Sequence, residues 1–284
     1  MALTTLPRLD DPHPLARETI EAFGRDGHVC LRALASADEV AAYRPLIDAA
    51  TMAHRYDKRP LEERETYGKA FVQSPNLWRR ESPIAGFTLA RRFARAAAEL
   101  MGVDGVRLYH DQALYKEPGG GFTPWHQDQT YWPLDTTHTI TLWMPLLDIP
   151  PNVGSMRFAS GSHAFGNLGF EGIGDDSQDY FETLIAKRGF TVNTHGAMRA
   201  GDATFHAGWT IHGAAGNPSE AMRSVMTIIY FADGVRVARP TDFQRGDLKY
   251  WLADLPPGEL ANGPKNPLLW SRNPSETGGP TIGD

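Results

Sequence analysis

The chain has 284 residues, a formal net charge of −6 and 22% charged residues, enough for one large domain with a sizeable core or at most two small ones. This ordinary, slightly acidic balance has no basic excess to attract nucleic acid or an anionic membrane. Cys30 is the single cysteine, which excludes an internal disulfide and a thiolate zinc cluster. The first residues are broken by Pro7, Pro12 and Pro14 rather than patterned as a basic-then-apolar leader, and no apolar run reaches membrane-spanning length. A cytoplasmic location is the expectation.

Residues 15–23 carry apolar or small side chains at helical spacing, with Gly24 or Gly27 available to end the helix, and a short strand follows over 28–31. Ser36 and Glu39 form a capping box for a helix to about residue 53, with Pro45 as a kink or early break. Residues 55–77, rich in charge and proline, read as a short helix plus loop. Ser82-Pro83 starts a long helix that places Leu89, Phe93, Ala97 and Leu100 on one face and stops at Gly102.

From Val106 the period changes to two and the segments become short, branched and aromatic. Strands are predicted over 106–116, 137–145, 154–159, 190–195, 203–206 and 222–232. Many short strands punctuated by Gly and Pro suggest a sandwich or barrel, of which the jelly-roll or cupin arrangement is one solution. Residues 165–188, with Gly166, Gly169, Gly172, Gly174 and a run of acids, read as an insertion over one end of the barrel. Residues 243–255 suggest one helix, followed by a Pro-, Gly- and Asn-rich tail that includes Leu268-Leu269-Trp270. The expected organisation is a single domain over 1–284: a mostly helical region 1–104, a β core 105–234 with an insertion over 164–189, and an extension 235–284.

The chemistry starts at Trp125-His126-Gln127-Asp128. In an extended chain His126 and Asp128 share a face while Gln127 points away, so an imidazole and a carboxylate converge. Such a pair suits a divalent first-row metal, and Fe(II) sites of the two-His, one-carboxylate type leave other positions open. With ten His, roughly one His-x-Asp/Glu arises by chance, and the plain alternative is a strand histidine satisfied by its neighbour. The setting downstream is more telling: Gly201-Asp202, Phe205-His206, Ile211-His212-Gly213, then Arg223 opening an apolar run.

The series His126-Gln127-Asp128, Gly154-Ser155-Met156-Arg157-Phe158 leading into Ser160-Gly161-Ser162-His163, and His212 followed by Arg223 resembles the phytanoyl-CoA dioxygenase family, from about Thr19 to about Asp233. The resemblance implies a mainly β fold with N-terminal helices around a double-stranded β-helix. It also implies an Fe(II)- and 2-oxoglutarate-dependent dioxygenase that hydroxylates a small molecule and releases succinate and CO2. His126, Asp128 and His212 would be the metal ligands, and Arg223 would hold the distal carboxylate of 2-oxoglutarate.

His206 is the rival to His212; it matches a position that orients a ligand by hydrogen bonding, while His28, His110, His138, His163 and His195 read as structural. Arg223 alternates with Val225, Thr227, Ile229 and Phe231, so an apolar wall carries one guanidinium, suited either to a bound carboxylate or to an internal salt bridge. Thr139, Thr141 and Trp143 share an inward face. Trp143 falls where the family has a tryptophan beside the co-substrate, or is core. Gln112, grouped with Leu108, Leu114 and Lys116 on one face, resembles a residue lining the 2-oxoglutarate pocket. Ala214 stands where many relatives have Ser, removing one hydroxyl. Tyr131 and Trp132, with Phe122 and the insertion at the mouth, are either substrate contacts or core aromatics. Two other functions fit the same elements: a metal-dependent cupin enzyme without 2-oxoglutarate, which has no need of Arg223, and a catalytically silent binding jelly roll, which would be expected to have lost a ligand.

Overall fold

The computed structural model describes residues 5–273; the last part of the predicted tail lies outside them. Helix α1 (Arg17–Asp26) ends at Gly27 rather than Gly24, with φ 78° and its N–H donated to the Phe23 carbonyl, and strand β1 (His28–Leu31) follows. A Cβ at Gly27 would meet the His163 ring at 2.4 Å, so both φ and space require glycine. Helix α2 (Ala37–His54) opens on the expected capping box. It runs through Pro45 without breaking, because Val40, Tyr43, Ile47 and Ala50 are buried along one face and that burial outweighs one lost backbone bond.

The stretch read as helix plus loop contains α3 (Thr66–Ala70) and strand β2 (Val72–Pro75), and α4 (Leu77–Arg80) begins at its last residue. The long helix expected from Ser82 to Gly102 is two helices, α5 (Ser82–Thr88) and α6 (Arg91–Met101), parted at Ala90, whose ψ is 119°. The break lets Thr88 face Asp111. The Thr88 hydroxyl donates to Asp111 Oδ2 at 2.6 Å and the Trp78 backbone N–H to the same oxygen at 3.0 Å. Burial lifts this carboxyl to about 6 against those hydrogen bonds.

Strands β3 (Gly105–Tyr115), β4 (Thr123–His126), β5 (Thr139–Pro145) and β6 (Met156–Ala159) come next, then α7 (Asp175–Arg188), β7 (Val192–Asn193), β8 (Ala203–Ala207), β9 (His212–Ala214), β10 (Val225–Ala232), α8 (Arg245–Trp251) and β11 (Leu268–Ser271). They form two antiparallel sheets. The larger has the order β1-β8-β5-β10-β3-β11, with β2 also on β3; the smaller is β4-β9-β6-β7. One face of the large sheet sends Ile140, Leu142, Met144, Met226, Ile228 and Tyr230 into a core shared with Phe87, Phe93 and Leu100 of the helices. On the other, Trp143 and Val225 pack across onto Met156, Phe158 and Ala214 of the small sheet. This is the layering of a double-stranded β-helix.

Three further expectations are corrected. Leu108 is not on the face of Gln112, because the β3–β10 register slips at Tyr109: Ile229 pairs with His110 but Tyr230 with Leu108. The bulge returns Leu108 and Val106 to the helical core, where both are fully buried. Two such side chains contribute roughly 1.5–3 kcal/mol each, more than the one ladder bond a bulge gives up, about 1 kcal/mol. The glycine-rich insertion does more than cover one end of the barrel: Ile173 lines the central cavity, while Phe181 and Ile185 of α7 pack on Trp125, Ala159 and Ile211 on the outer face of the small sheet. The helix predicted over 243–255 is confined to α8, since Ala253 and Asp254 take left-handed φ of 54° and 56°.

At the β1 edge of the large sheet, where His28 stacks on Phe158 of the small sheet, His28 Nδ1 meets His195 Nε2 at 3.0 Å, and His28 Nε2 meets Ser160 Oγ at 2.8 Å. Burial, then His195, lowers His28 to about 3; burial, then Arg32, lowers His195 to about 4. An unfolded chain binds these protons near pH 6.5, so stability from this neutral pair is complete above about 6.5 and declines as pH falls below it. Asp111 acts with the opposite sign, so the difference between proteins is the informative quantity. The melting-temperature gap between wild type and His28→Asn should be nearly constant above about pH 6.5 and narrow from there to pH 4.5; a gap that stays constant throughout would show that the pair is not neutral in the folded state.

Candidate active site

Strand β4 is extended, so Trp125 turns outward onto α7 while His126 turns inward. Register with β9 sets His126 opposite His212, and their ring centroids lie 4.1 Å apart. Asp128 opens a 3-10 turn directly after β4, which still leaves its carboxylate on the inner side. Asp128 Oδ1 stands 3.4 Å from His126 Nε2 and 3.5 Å from His212 Nε2, and one donor atom from each residue falls within a 4.8 Å cluster.

Hydrogen bonds fix which atoms face that cluster. His126 Nδ1–H donates to the Pro124 carbonyl at 2.7 Å and His212 Nδ1–H to the Thr210 carbonyl at 2.9 Å, leaving both Nε2 lone pairs inward. Asp128 Oδ2 accepts from the Thr141 hydroxyl at 3.0 Å and from His206 Nε2–H at 3.2 Å, which leaves Oδ1 for the cluster. Burial, with His126 and His206 nearby, holds His212 well below its usual range. Burial alone would raise Asp128, but the imidazoles around it hold it well below the usual carboxylate range. Two imidazole nitrogens and one carboxylate oxygen turned to one side of a point fit a first-row divalent cation. His206 joins the cluster through the second oxygen of Asp128, and the other candidate histidines, His110 apart, stay outside the cavity.

The inner floor is ruled in cross-strand rows. His110, Ile229 and Thr141 form one, and Gln112, Thr227 and Trp143 the next. Further along, Lys116 bridges to Arg223. Arg223 is 2% exposed. Its Nη1 donates to the Leu114 carbonyl at 2.9 Å, its Nε is buried without a partner, and its guanidinium lies 5.4 Å from the Trp143 ring centre. Among the described residues no carboxylate is within ion-pair distance, so an internal salt bridge does not account for it. Burial lowers Arg223 to about 9. Gly154, in the motif that carried the resemblance, has φ 60°, and a Cβ there would meet Arg223 Nε at 2.7 Å. Lys116, also fully buried, donates to the carbonyls of Ala70 and Gly121 and to Thr123 Oγ1. Burial, then Arg223, pushes its ammonium down to about 6. Thr123 is the cross-strand partner of Ala214 and lines the cavity, so a hydroxyl is present beside the position where residue 214 has none. Gln112 Oε1 accepts from the Gln73 amide at 2.6 Å, and both side chains line the cavity.

The cavity of about 240 Å³ is lined by the cluster, Gln112, Trp143 and Arg223, and also by Tyr131 and Trp132. Phe122 does not line it; its ring lies at the surface. Sequence reasoning missed His110, Tyr56, Tyr67, Asp247 and Trp251, all in the cavity wall. The last two had a readable signal, because Asp247 and Trp251 stand four apart on α8 and so share a face.

Three metal-ready donors and an unpaired guanidinium, held by facing sheets around one cavity, define the class of Fe(II)- and 2-oxoglutarate-dependent oxygenases on a double-stranded β-helix. The chain belongs to the phytanoyl-CoA dioxygenase family: the family profile, Phytanoyl-CoA dioxygenase (PhyH), matches residues 23–225. It is similar to the ectoine dioxygenase of Stutzerimonas stutzeri (strain A1501), 26% identical over 247 residues, or 76% of this chain and 77% of that protein. It is also similar to the ectoine dioxygenase of Streptomyces anulatus, 24% identical over 242 residues, or 77% and 79%. Among solved structures, the non-heme alpha ketoglutarate dependent carbocyclase SnoK from nogalamycin biosynthesis shares the fold, with a TM-score of 0.75 and 23% identity over 91% of this chain and 99% of that one. No helix among the described residues is long and apolar enough to cross a membrane.

Proposed function

We propose that this enzyme hydroxylates a small molecule, with His126, Asp128 and His212 as the ligands of Fe(II) and Arg223 as the partner of the distal carboxylate of 2-oxoglutarate. The observation that carries the reading is the buried guanidinium without a carboxylate partner, sharing a cavity with the three inward-facing donors. A buried cation without a counter-charge is unfavourable, and a dicarboxylate that reaches from the donors to Arg223 relieves it. A cupin enzyme that dispenses with 2-oxoglutarate leaves Arg223 unexplained, and a silent binding protein leaves the intact donor set unexplained.

When bound, Fe(II) with 2-oxoglutarate and dioxygen supplies oxidative decarboxylation to succinate and CO2, and an oxidant able to convert a C–H into a C–OH. The chain supplies orientation. The Pro124 and Thr210 carbonyls set the imidazole tautomers, while Thr141 and His206 hold Asp128 Oδ2 so that Oδ1 remains the ligand. Trp143 walls the co-substrate and Gln112 offers it an amide N–H. Tyr131 and Trp132 receive the substrate and exclude water at the mouth. Because Asp128 occupies the carboxylate position, no ligand place is vacated for a halide, which favours hydroxylation over halogenation.

Anaerobic addition of 2-oxoglutarate to the Fe(II)-loaded protein should raise a weak, saturable visible charge-transfer band. Thr141→Val should give the same band but require about tenfold more Fe(II), the lower end of the effect of removing a ligand's hydrogen-bond partner. Tight Fe(II) binding with no band at saturating 2-oxoglutarate would refute the co-substrate assignment.

A further inference from the structure

The part of the cavity away from Arg223 carries a carboxylate that the reaction as described does not use. Asp247 lies on α8, beyond the residues that match the family profile, and lines the same cavity. Helix α8 is held against the sheets by Leu248 and Leu252, which pack with Tyr109, Ile229 and Phe231. Gln244, just before it, donates to the Thr130 carbonyl at 3.0 Å. Tyr109, delivered to this side by the β3 bulge, donates its hydroxyl to Asp247 Oδ2 at 3.3 Å, and the Trp251 side chain is the other hydrogen-bond partner. Both partners are neutral.

No cation pairs with Asp247 among the described residues. Arg245, two residues before it, is turned to Asp242 at 2.8 Å. His110, stacked on Trp251 with ring centres 4.2 Å apart, is lowered to about 4 by burial and is neutral. Arg223 is remote: its anchor at Leu114 and the Tyr109 partner of Asp247 are separated along β3 by roughly 16 Å at ~3.3 Å per residue. Around the carboxylate the wall is aromatic, with Tyr67, Tyr131, Trp132 and Trp251 all lining the cavity. Tyr67 and Tyr131 share this cavity with both Asp128 of the donor cluster and Asp247 of α8. Burial raises Asp247 to about 7, only partly offset by its two hydrogen bonds, so an arriving positive charge would remove an existing penalty.

A lone carboxylate set among aromatic rings is the chemistry that receives a positively charged nitrogen, through ion pairing and cation–π attraction together. We infer that the substrate carries a protonated or quaternary nitrogen and that Asp247, with Tyr67, Tyr131, Trp132 and Trp251, binds it and so aims a nearby C–H at the donor cluster. The inference rests on the dioxygenase reading for what happens to that C–H, but not for the binding itself.

Calorimetric titration of the anaerobic Fe(II)- and 2-oxoglutarate-loaded protein with benzyltrimethylammonium, benzylamine, benzyl alcohol and benzoate tests it. Both cations should bind about tenfold or more tighter than benzyl alcohol, and benzoate weakest, a ratio worth about 1.4 kcal/mol. Asp247→Asn, which keeps the size and hydrogen-bonding capacity of the side chain, should bring cations and alcohol within about threefold of one another without changing the affinity for 2-oxoglutarate. Tyr131→Leu keeps the carboxylate and an apolar side chain in the cluster that holds α8 and should weaken benzyltrimethylammonium at least about threefold more than benzyl alcohol. A wild-type protein that binds no cation or does not prefer one, or an Asp247→Asn protein that keeps the preference, overturns the inference. The 2-oxoglutarate titration in the same samples reports separately on the dioxygenase reading, since its failure would leave a measured cation preference standing.

Discussion

Alanine at His126, Asp128 or His212 is expected to reduce iron-dependent succinate formation to the level measured without added iron. Each removes one of three donors, and a two-donor remnant is a poor site for a first-row divalent cation. Folding should survive, because the large apolar core lies on the opposite side of the large sheet, among the helices. Losing His212 deletes one hydrogen bond to the Thr210 carbonyl, worth about 1 kcal/mol, or about 2–4 °C in melting temperature for a protein of this size. His206→Ala is the control. Its Nε2 touches Asp128 Oδ2 and not the oxygen shared with the other imidazoles, so it should lower activity by about 10–100-fold, as partners of ligands do, without abolishing it. Full activity in His212→Ala together with none in His206→Ala would exchange the two assignments.

Arg223→Met is expected to separate two properties in opposite directions. Affinity for 2-oxoglutarate should fall about 30-fold or more, the equivalent of roughly 2 kcal/mol, because a charge-assisted pair is removed and the incoming carboxylate is left buried and unpaired. Fe(II) affinity should be nearly unchanged. The melting temperature of the protein without 2-oxoglutarate should hold steady or rise, since a buried guanidinium with an unpartnered Nε gives way to an apolar side chain of similar volume. Removing this charge also lets Lys116 recover part of its depressed basicity, because Arg223 is one of the two causes of that depression. A lower melting temperature with wild-type 2-oxoglutarate affinity is the opposite pattern and would make Arg223 a structural residue.

Much of this arrangement was legible in the chain itself. The period-two run at 106–116 and the apolar wall behind Arg223 are strands because alternation records which face is buried, and β5 places Thr141 and Trp143 in the cavity as alternation demands. The His-x-Asp pair converges as an extended chain predicts, although Asp128 reaches the point from a 3-10 turn. Other features depend on partners distant in sequence. The bulge at Tyr109 moves Leu108 to the helical core, and nothing local to 105–115 marks it. The split between α5 and α6 answers to Asp111 on a neighbouring strand, which claims the Thr88 hydroxyl. Strands β2, β4 and β9 are three or four residues long, too short for a periodic signal, and are strands because longer neighbours offer them hydrogen bonds. Asp247 and Trp251 share a face of the helix predicted there, but that the face closes the cavity depends on the packing of Leu248 and Leu252 against Tyr109, Ile229 and Phe231, which are distant in sequence.

The closing position of β11 bears on how the enzyme is made. This strand pairs with the near end of β3, Leu268 opposite Arg107, and β1 pairs with β8, His28 opposite His206, so both margins of the large sheet join segments more than 150 residues apart. Contacts of such long sequence separation form late and slowly, because a long loop must close before any of them contributes. During synthesis the donor cluster, complete at His212, can assemble while α8 and β11 are still in the ribosome. A nascent chain folded only as far as His212 would hold the three donors while Asp247 and Trp251 are absent from the cavity wall, leaving that side of the cavity open to solvent and to other nascent chains.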